Sequence, residues 1–226
     1  MELVLSDFSH AEVLQYLGWR GSDIPTDVDK QIQVCMTDTL RIVQPRFTYR
    51  VFDLVRQEDQ IMLKGTEIPL PGKDLAALLQ DCKQCVLMAA TLGMPLEAAI
   101  HRAEIADMTR ALILDCCGSS AIEAVCDQVE QIILQQLSET IYPTDRFSPG
   151  YGDMPLAFQK QMVALLDTAR QIGLSMTESY ILTPRKSVTA IFGLAHKPQT
   201  KRFRGCAYCS MFANCTFRKA GKTCGR

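Results

Sequence analysis

The sequence has no Walker loop, no GxGxxG turn and no GxSxG elbow. The usual phosphate cradles and the usual perch for a serine nucleophile are therefore missing. Its three histidines, His10, His101 and His196, lie too far apart to form a local metal-ligand pair. Apolar runs such as Val86 to Leu92 fall far short of the roughly 20 residues that cross a bilayer. The opening MELVLSDFSH lacks the basic start and long apolar stretch of a signal peptide. These absences predict a cytoplasmic chain with neither a membrane nor a nucleic-acid partner. They also put its ten cysteines in a reducing compartment, where metal or redox roles gain weight over disulfides. No ready-made catalytic nucleophile stands out.

What is present is ordinary in bulk: 226 residues, 47% hydrophobic and 22% charged, enough for one large domain with a small appendage. The net charge of −1 hides an asymmetry. Residues 197–226 carry eight of the 24 Lys and Arg and none of the 25 acids, so positions 1–196 hold 16 bases against 25 acids, a balance of −9. A basic tail on an acidic body fits a docking patch, a counter-charge for a bound anion or a solubilising extension.

Periodicity predicts an α+β fold with an antiparallel sheet and several helices. Helices are expected over 9–18, with Ser9 as N-cap, over 27–43 up to Pro45, over 74–82, over 95–104 and over 107–137. Alternation in RFTYRVFDL and IMLKGTEIPL predicts two strands, and the apolar run Cys85–Gly93 a buried one. A further helix over 156–172 should precede a strand pair formed by SYILTP and SVTAIFGLA. Cys82, Cys85, Cys116, Cys117 and Cys126 read as core residues. The expected organisation is a ligand-binding domain over 1–196 and a Cys-rich tail over 197–226.

The stretch RFSPGY, residues 146–151, joins an arginine, a Pro-Gly corner and a tyrosine. Arg146 offers a planar fork for a carboxylate or phosphate. Pro149 fixes its own φ, and Gly150 lets backbone approach a ligand closely. Tyr151 adds a ring face for stacking or for a cation. Together they suit a small zwitterion with a flat ring; alone, they are also what a plain surface turn would show.

The order RFSPGY, then MTES at 176–179, then SVTAIFGLAH at 187–196, resembles the reactivation (activation) domain of cobalamin-dependent methionine synthase. The helix SSAIEAVCDQVEQ is similar to the family helix that bears a ligand-binding glutamate, which places that residue at Glu123; a buried helix glutamate without a ligand is the plainer alternative. The resemblance covers roughly residues 85–196. It implies a single α+β domain that binds S-adenosylmethionine in an extended groove and presents its methyl group to the cobalamin of an inactivated synthase, with one electron from a flavodoxin-like donor. The attacking atom would be reduced cobalt, which accounts for the missing nucleophile, and the protein would supply position and a fitted electrostatic site. Arg146 would hold the methionine carboxylate, with Ser148, Pro149, Gly150 and Tyr151 lining the ligand. Glu123 would meet the amino group or the ribose.

The resemblance also has departures. The expected upstream substrate and cobalamin modules are not in these 226 residues, so a free-standing protein that docks on a separate methionine synthase or corrinoid protein is expected, inactive alone on homocysteine. The family His-Pro is His196-Lys197-Pro198 here, and the tyrosine expected a few residues on falls near Arg202 or Phe203.

The tail spaces its thiols as Cys206-x2-Cys209-x5-Cys215-x8-Cys224. Four thiols in so short a loop-forming stretch predict a metal site, zinc or an iron–sulfur cluster. Four reduced surface thiols are the alternative. Two other functions fit this composition: an iron–sulfur reductive activator of corrinoid proteins, and a zinc-stabilised adaptor without catalysis.

Overall fold

The structure, a computed structural model, describes residues 1–19, 23–57, 60–137, 140–199 and 219. It divides into two compact units. The first comprises Met1–Thr48, Ala89–Gln136 and Val163–Val188; the second comprises Tyr49–Met88, Leu137–Met162 and Thr189–Arg226.

The first unit is built on helices. Helix α1 (His10–Tyr16) starts where the Ser9 hydroxyl accepts the Glu12 N–H at 3.2 Å, the side-chain cap its sequence predicted. Helix α2 (Thr26–Ile42) buries Ile32, Cys35 and Thr39 and stops before Pro45, which disfavours helix in the residue ahead of it. Helix α4 (Met94–Ala106) carries Pro95 in its first turn, where no N–H is missed. Helix α5 (Met108–Gln135) begins on an Asp107 carboxylate that accepts the Arg110 N–H at 3.0 Å. Its buried stripe, Cys117, Ala121, Val125, Val129 and Ile133 among others, packs against α1, α2 and α4. Between α4 and α5, the buried Glu97 accepts the Arg185 N–H at 2.7 Å, and Lys186 reaches Asp115 and Ser119 at 2.9 Å each.

Most of a six-stranded antiparallel sheet belongs to the second unit. Its strands are β1 (Arg46–Gln57), β2 (Gln60–Leu63), β3 (Pro69–Leu70), β4 (Cys82–Thr91), β5 (Tyr142–Pro143) and β8 (Ser187–Ala195), in the order β3-β2-β1-β4-β8-β5. The central strands read as near-continuous apolar runs because both faces are covered: Cys85–Thr91 and Thr189–Ala195 are buried without a break. Helix α3 (Lys73–Leu78) lies between β3 and β4 in the chain. Arg56 on β1 donates to the carbonyls of Leu79 and Cys82 at 2.8 and 2.7 Å, closing the end of α3.

Three expectations differ from what is observed. Residues 61–70 form two strands rather than one, turning where the Thr66 N–H and hydroxyl both meet the Leu63 carbonyl. The helix expected over 156–172 is a 3-10 turn (Leu156–Phe158), α6 (Gln159–Leu166) and α7 (Thr168–Ile172), interrupted at Asp167, whose φ of 47° is left-handed. SYILTP does not pair with SVTAIFGLA. Instead β7 (Leu182–Thr183) pairs with β6 (Ser175–Met176), because the Thr177 N–H reaches the Ile181 carbonyl at 2.9 Å and closes a short local loop first. Among the described residues, no helix is long and apolar enough to cross a membrane.

Candidate functional site

The segment that carries Arg146 is laid along β8. Tyr142 and Pro143 pair with Ala195 and Leu194. Next, the Thr144 N–H meets the Gly193 carbonyl at 3.1 Å, and the Gly193 N–H returns to the Thr144 hydroxyl at 2.8 Å. The following pair is Phe147 with Ile191, exchanging both backbone bonds at 2.8 Å. Between these pairs, Asp145 and Arg146 oppose the single residue Phe192. That is a β-bulge, the device that re-aims a side chain at the end of a ladder. Asp145 is buried and Arg146 half-buried. Sequence reasoning picked out Arg146 but missed the bulge, since nothing in the local pattern marks the one-residue slip.

Beyond Phe147 the chain makes two linked turns. The Tyr151 N–H bonds the Ser148 carbonyl at 3.1 Å, with Pro149 and Gly150 as the central residues and Gly150 at φ 91°. Proline first and a positive-φ glycine second define a type II turn, so this corner demands both residues. The Met154 N–H then bonds the Tyr151 carbonyl at 3.0 Å, and the Gly150 N–H bonds the Met154 carbonyl at 3.0 Å. Phe147 and Met154 are buried at either end, while the Tyr151 ring stands 67% exposed, 6.5 Å from the Phe147 ring and tilted by 56°. The corner is thus a fixed turn that holds an aromatic ring out to solvent. Leu156, also largely exposed, lies against Gly150.

Glu123 sits half-buried on α5, on the flank of the buried stripe. Thr177 and Ser179 of the MTES stretch share a hydroxyl–hydroxyl bond of 2.9 Å in the β6–β7 loop. Cys206, Cys209, Cys215 and Cys224 lie outside the described residues. Among the described residues, no three His, Cys, Asp or Glu side chains come together as a metal site. The cysteines read as core are indeed buried. Burial pushes the Cys82 and Cys116 thiols up to about 11 and those of Cys85 and Cys117 up to about 12, which keeps them protonated and inert.

The family model described as "Vitamin B12 dependent methionine synthase, activation domain" matches residues 125–206. The chain resembles the methionine synthase activation domain. The matched stretch takes in the Arg146–Tyr151 corner, the MTES loop and β8, and starts two residues beyond Glu123. Among solved structures, a crystal structure of the MetH reactivation domain bound to AdoHcy superposes with a TM-score of 0.65. It shares 15% sequence identity, over 93% of this chain and 80% of that one, so the activation-domain fold extends well outside the matched stretch. No curated protein matches the chain by sequence.

Proposed function

We propose that this chain binds S-adenosylmethionine at the Arg146–Tyr151 corner and takes part in the reductive methylation of cobalamin carried by a separate methionine synthase or related corrinoid methyltransferase. The observation that carries this reading is the corner itself. A bulge sets a half-buried arginine beside a type II turn, and the turn displays an exposed tyrosine on a buried Phe147–Met154 base. A guanidinium fork matches an amino-acid carboxylate, and an open ring face matches a sulfonium or a flat base. Ser148, Pro149 and Gly150 bring backbone close to the same ligand. In a sulfonium the methyl group is already activated, so the chain's task is to hold the donor still and keep its charge matched. Cobalamin and the electron, from a flavodoxin-like or other donor, come from partners in the reducing cytoplasm; homocysteine is not methylated by this chain alone.

In the same reading, residues 1–196 are the S-adenosylmethionine-binding domain. The basic tail over 197–226 holds one metal centre, zinc or iron–sulfur, through Cys206, Cys209, Cys215 and Cys224. The deciding experiment is calorimetric titration of the intact chain with S-adenosylmethionine, with and without a cobalamin-domain partner. Saturable binding with one site per chain is expected; folded protein that gives no heat at millimolar ligand would end the proposal.

A further inference from the structure

Helix α3 has no capping side chain of its own, since Gly72 occupies its N-cap position. Its first amides are bonded instead from 80 residues away. The Asp153 carboxylate accepts the Lys73 N–H at 2.6 Å and the Asp74 N–H at 3.2 Å. Charged acceptors on the free amides of a helix start make the stronger kind of capping bond. Asp153 is also part of the second turn of the corner, between Gly152 and the buried Met154.

The contact is reciprocal. A side chain at Gly72 would run into the Asp153 carboxylate, and one at Gly152 would run into the Asp74 carboxylate. Gly152 also faces the Phe147 ring, whose Cζ lies 3.1 Å from where a Cβ would stand. Each loop therefore leaves a gap that the other loop's acid fills. The bulge and the Phe147–Ile191 pair fix the near end of the corner, but among the described residues no ladder bond fixes its far end. Asp153 does so.

We infer that Asp153 is the positioning residue of the corner: by capping α3 across the two loops it holds Gly150 and Tyr151 where a ligand meets them. This rests on the reading of the corner as the S-adenosylmethionine site. Asp153 touches no ligand in this account; it acts through the turn. The chemistry is that of a cap, so an uncharged amide should restore part of the effect and a methyl group none.

The test uses the intact chain with Asp153→Ala, Asp153→Asn and, as comparison, Asp53→Ala, which removes a surface carboxylate bonded to Lys64 and Gln84 on the same sheet. Two readouts are taken: the S-adenosylmethionine dissociation constant by calorimetry, and amide exchange at Gly150, Tyr151 and Met154 without ligand. D153A should weaken binding about three- to tenfold, D153N by less, and D53A not at all. D153A should also speed exchange at the three corner amides by about tenfold while Phe147 stays protected by its ladder pair. Wild-type affinity in D153A, or unchanged exchange at the corner, overturns the inference. If the wild type itself does not bind the ligand, the functional reading fails, while the exchange comparison still decides what Asp153 does.

Discussion

Gly193 offers the most demanding check on how the site is built. It lies in the fully buried run of β8 and pairs with Thr144, two residues before Arg146. Its backbone is ordinary strand, so replacing it with alanine would by itself stabilise the chain by roughly 0.5–1 kcal/mol through lost unfolded-state freedom. The space says otherwise. A Cβ there would overlap the Cys82 sulfur, stand 2.8 Å from Leu79 Cδ2 and 3.1 Å from Thr144 Cγ2. Cys82 and Leu79 are 1% and 0% exposed, so neither can swing out to solvent. Overpacking of this kind costs about 1–3 kcal/mol. The clash wins, and Gly193→Ala should be destabilised by about 1–2 kcal/mol, a fall of roughly 2–8 °C in Tm for a chain of this size. Thermal and urea unfolding followed by circular dichroism measure it. Because the sulfur is the nearest obstacle, Cys82→Ala should recover about 1 kcal/mol or more in the Gly193→Ala background, a coupling that a double-mutant cycle isolates. A Gly193→Ala protein as stable as wild type, or strictly additive effects in the double mutant, would refute the reasoning.

Three further outcomes can be measured. Arg146→Ala should weaken S-adenosylmethionine binding by about 1.5–3 kcal/mol in calorimetry, the range for a hydrogen bond to a charged group, and Arg146→Lys should also lose affinity because an ammonium lacks the planar fork. The buried thiols should make stability fall in alkali. Their folded values of about 11 for Cys82 and Cys116 and about 12 for Cys85 and Cys117 lie above the roughly 8.5 of a free thiol, so the unfolded chain loses its protons first. Their stabilisation is complete below about pH 8.5 and declines toward pH 11–12, by up to about 1.4 kcal/mol per thiol per pH unit. Cys85→Ala should flatten that slope in denaturant titrations between pH 8 and 10. Anaerobically purified protein should carry about one zinc, or several irons with matching sulfide, and Cys206→Ser with Cys209→Ser should remove them while S-adenosylmethionine still binds.

Elements whose signal is local were legible in the sequence. Ser9 caps α1 as its hydroxyl and position demand, the apolar run after Cys82 is a buried strand, and the long stripe from Asp107 is α5. The corner was legible too, because Pro149 and Gly150 specify a type II turn almost by themselves. What escaped depended on partners distant in the chain. The slip that puts Asp145 and Arg146 against Phe192 exists only once β8 is alongside, and 44 to 53 residues separate the paired positions. The pairing of β7 with β6 instead of β8 was hidden by two strands of two residues each, too short for alternation to register. The break at Asp167 takes a left-handed non-glycine residue, which helix propensity does not anticipate.

The interlocked glycines and acids impose a rule on sequence change. Gly72 and Asp153 share one volume, and Asp74 and Gly152 share another, so neither glycine can gain a side chain while the facing carboxylate stays. A viable replacement at one position must come with a shrinkage at the other. Across homologous chains the four positions should vary as two pairs, even though some 80 residues separate the partners. A chain that keeps a Pro-Gly-Tyr corner but lacks the Gly-x-Asp of α3 must then brace the far side of that corner by other means, and the missing triplet would be enough to single it out among its relatives.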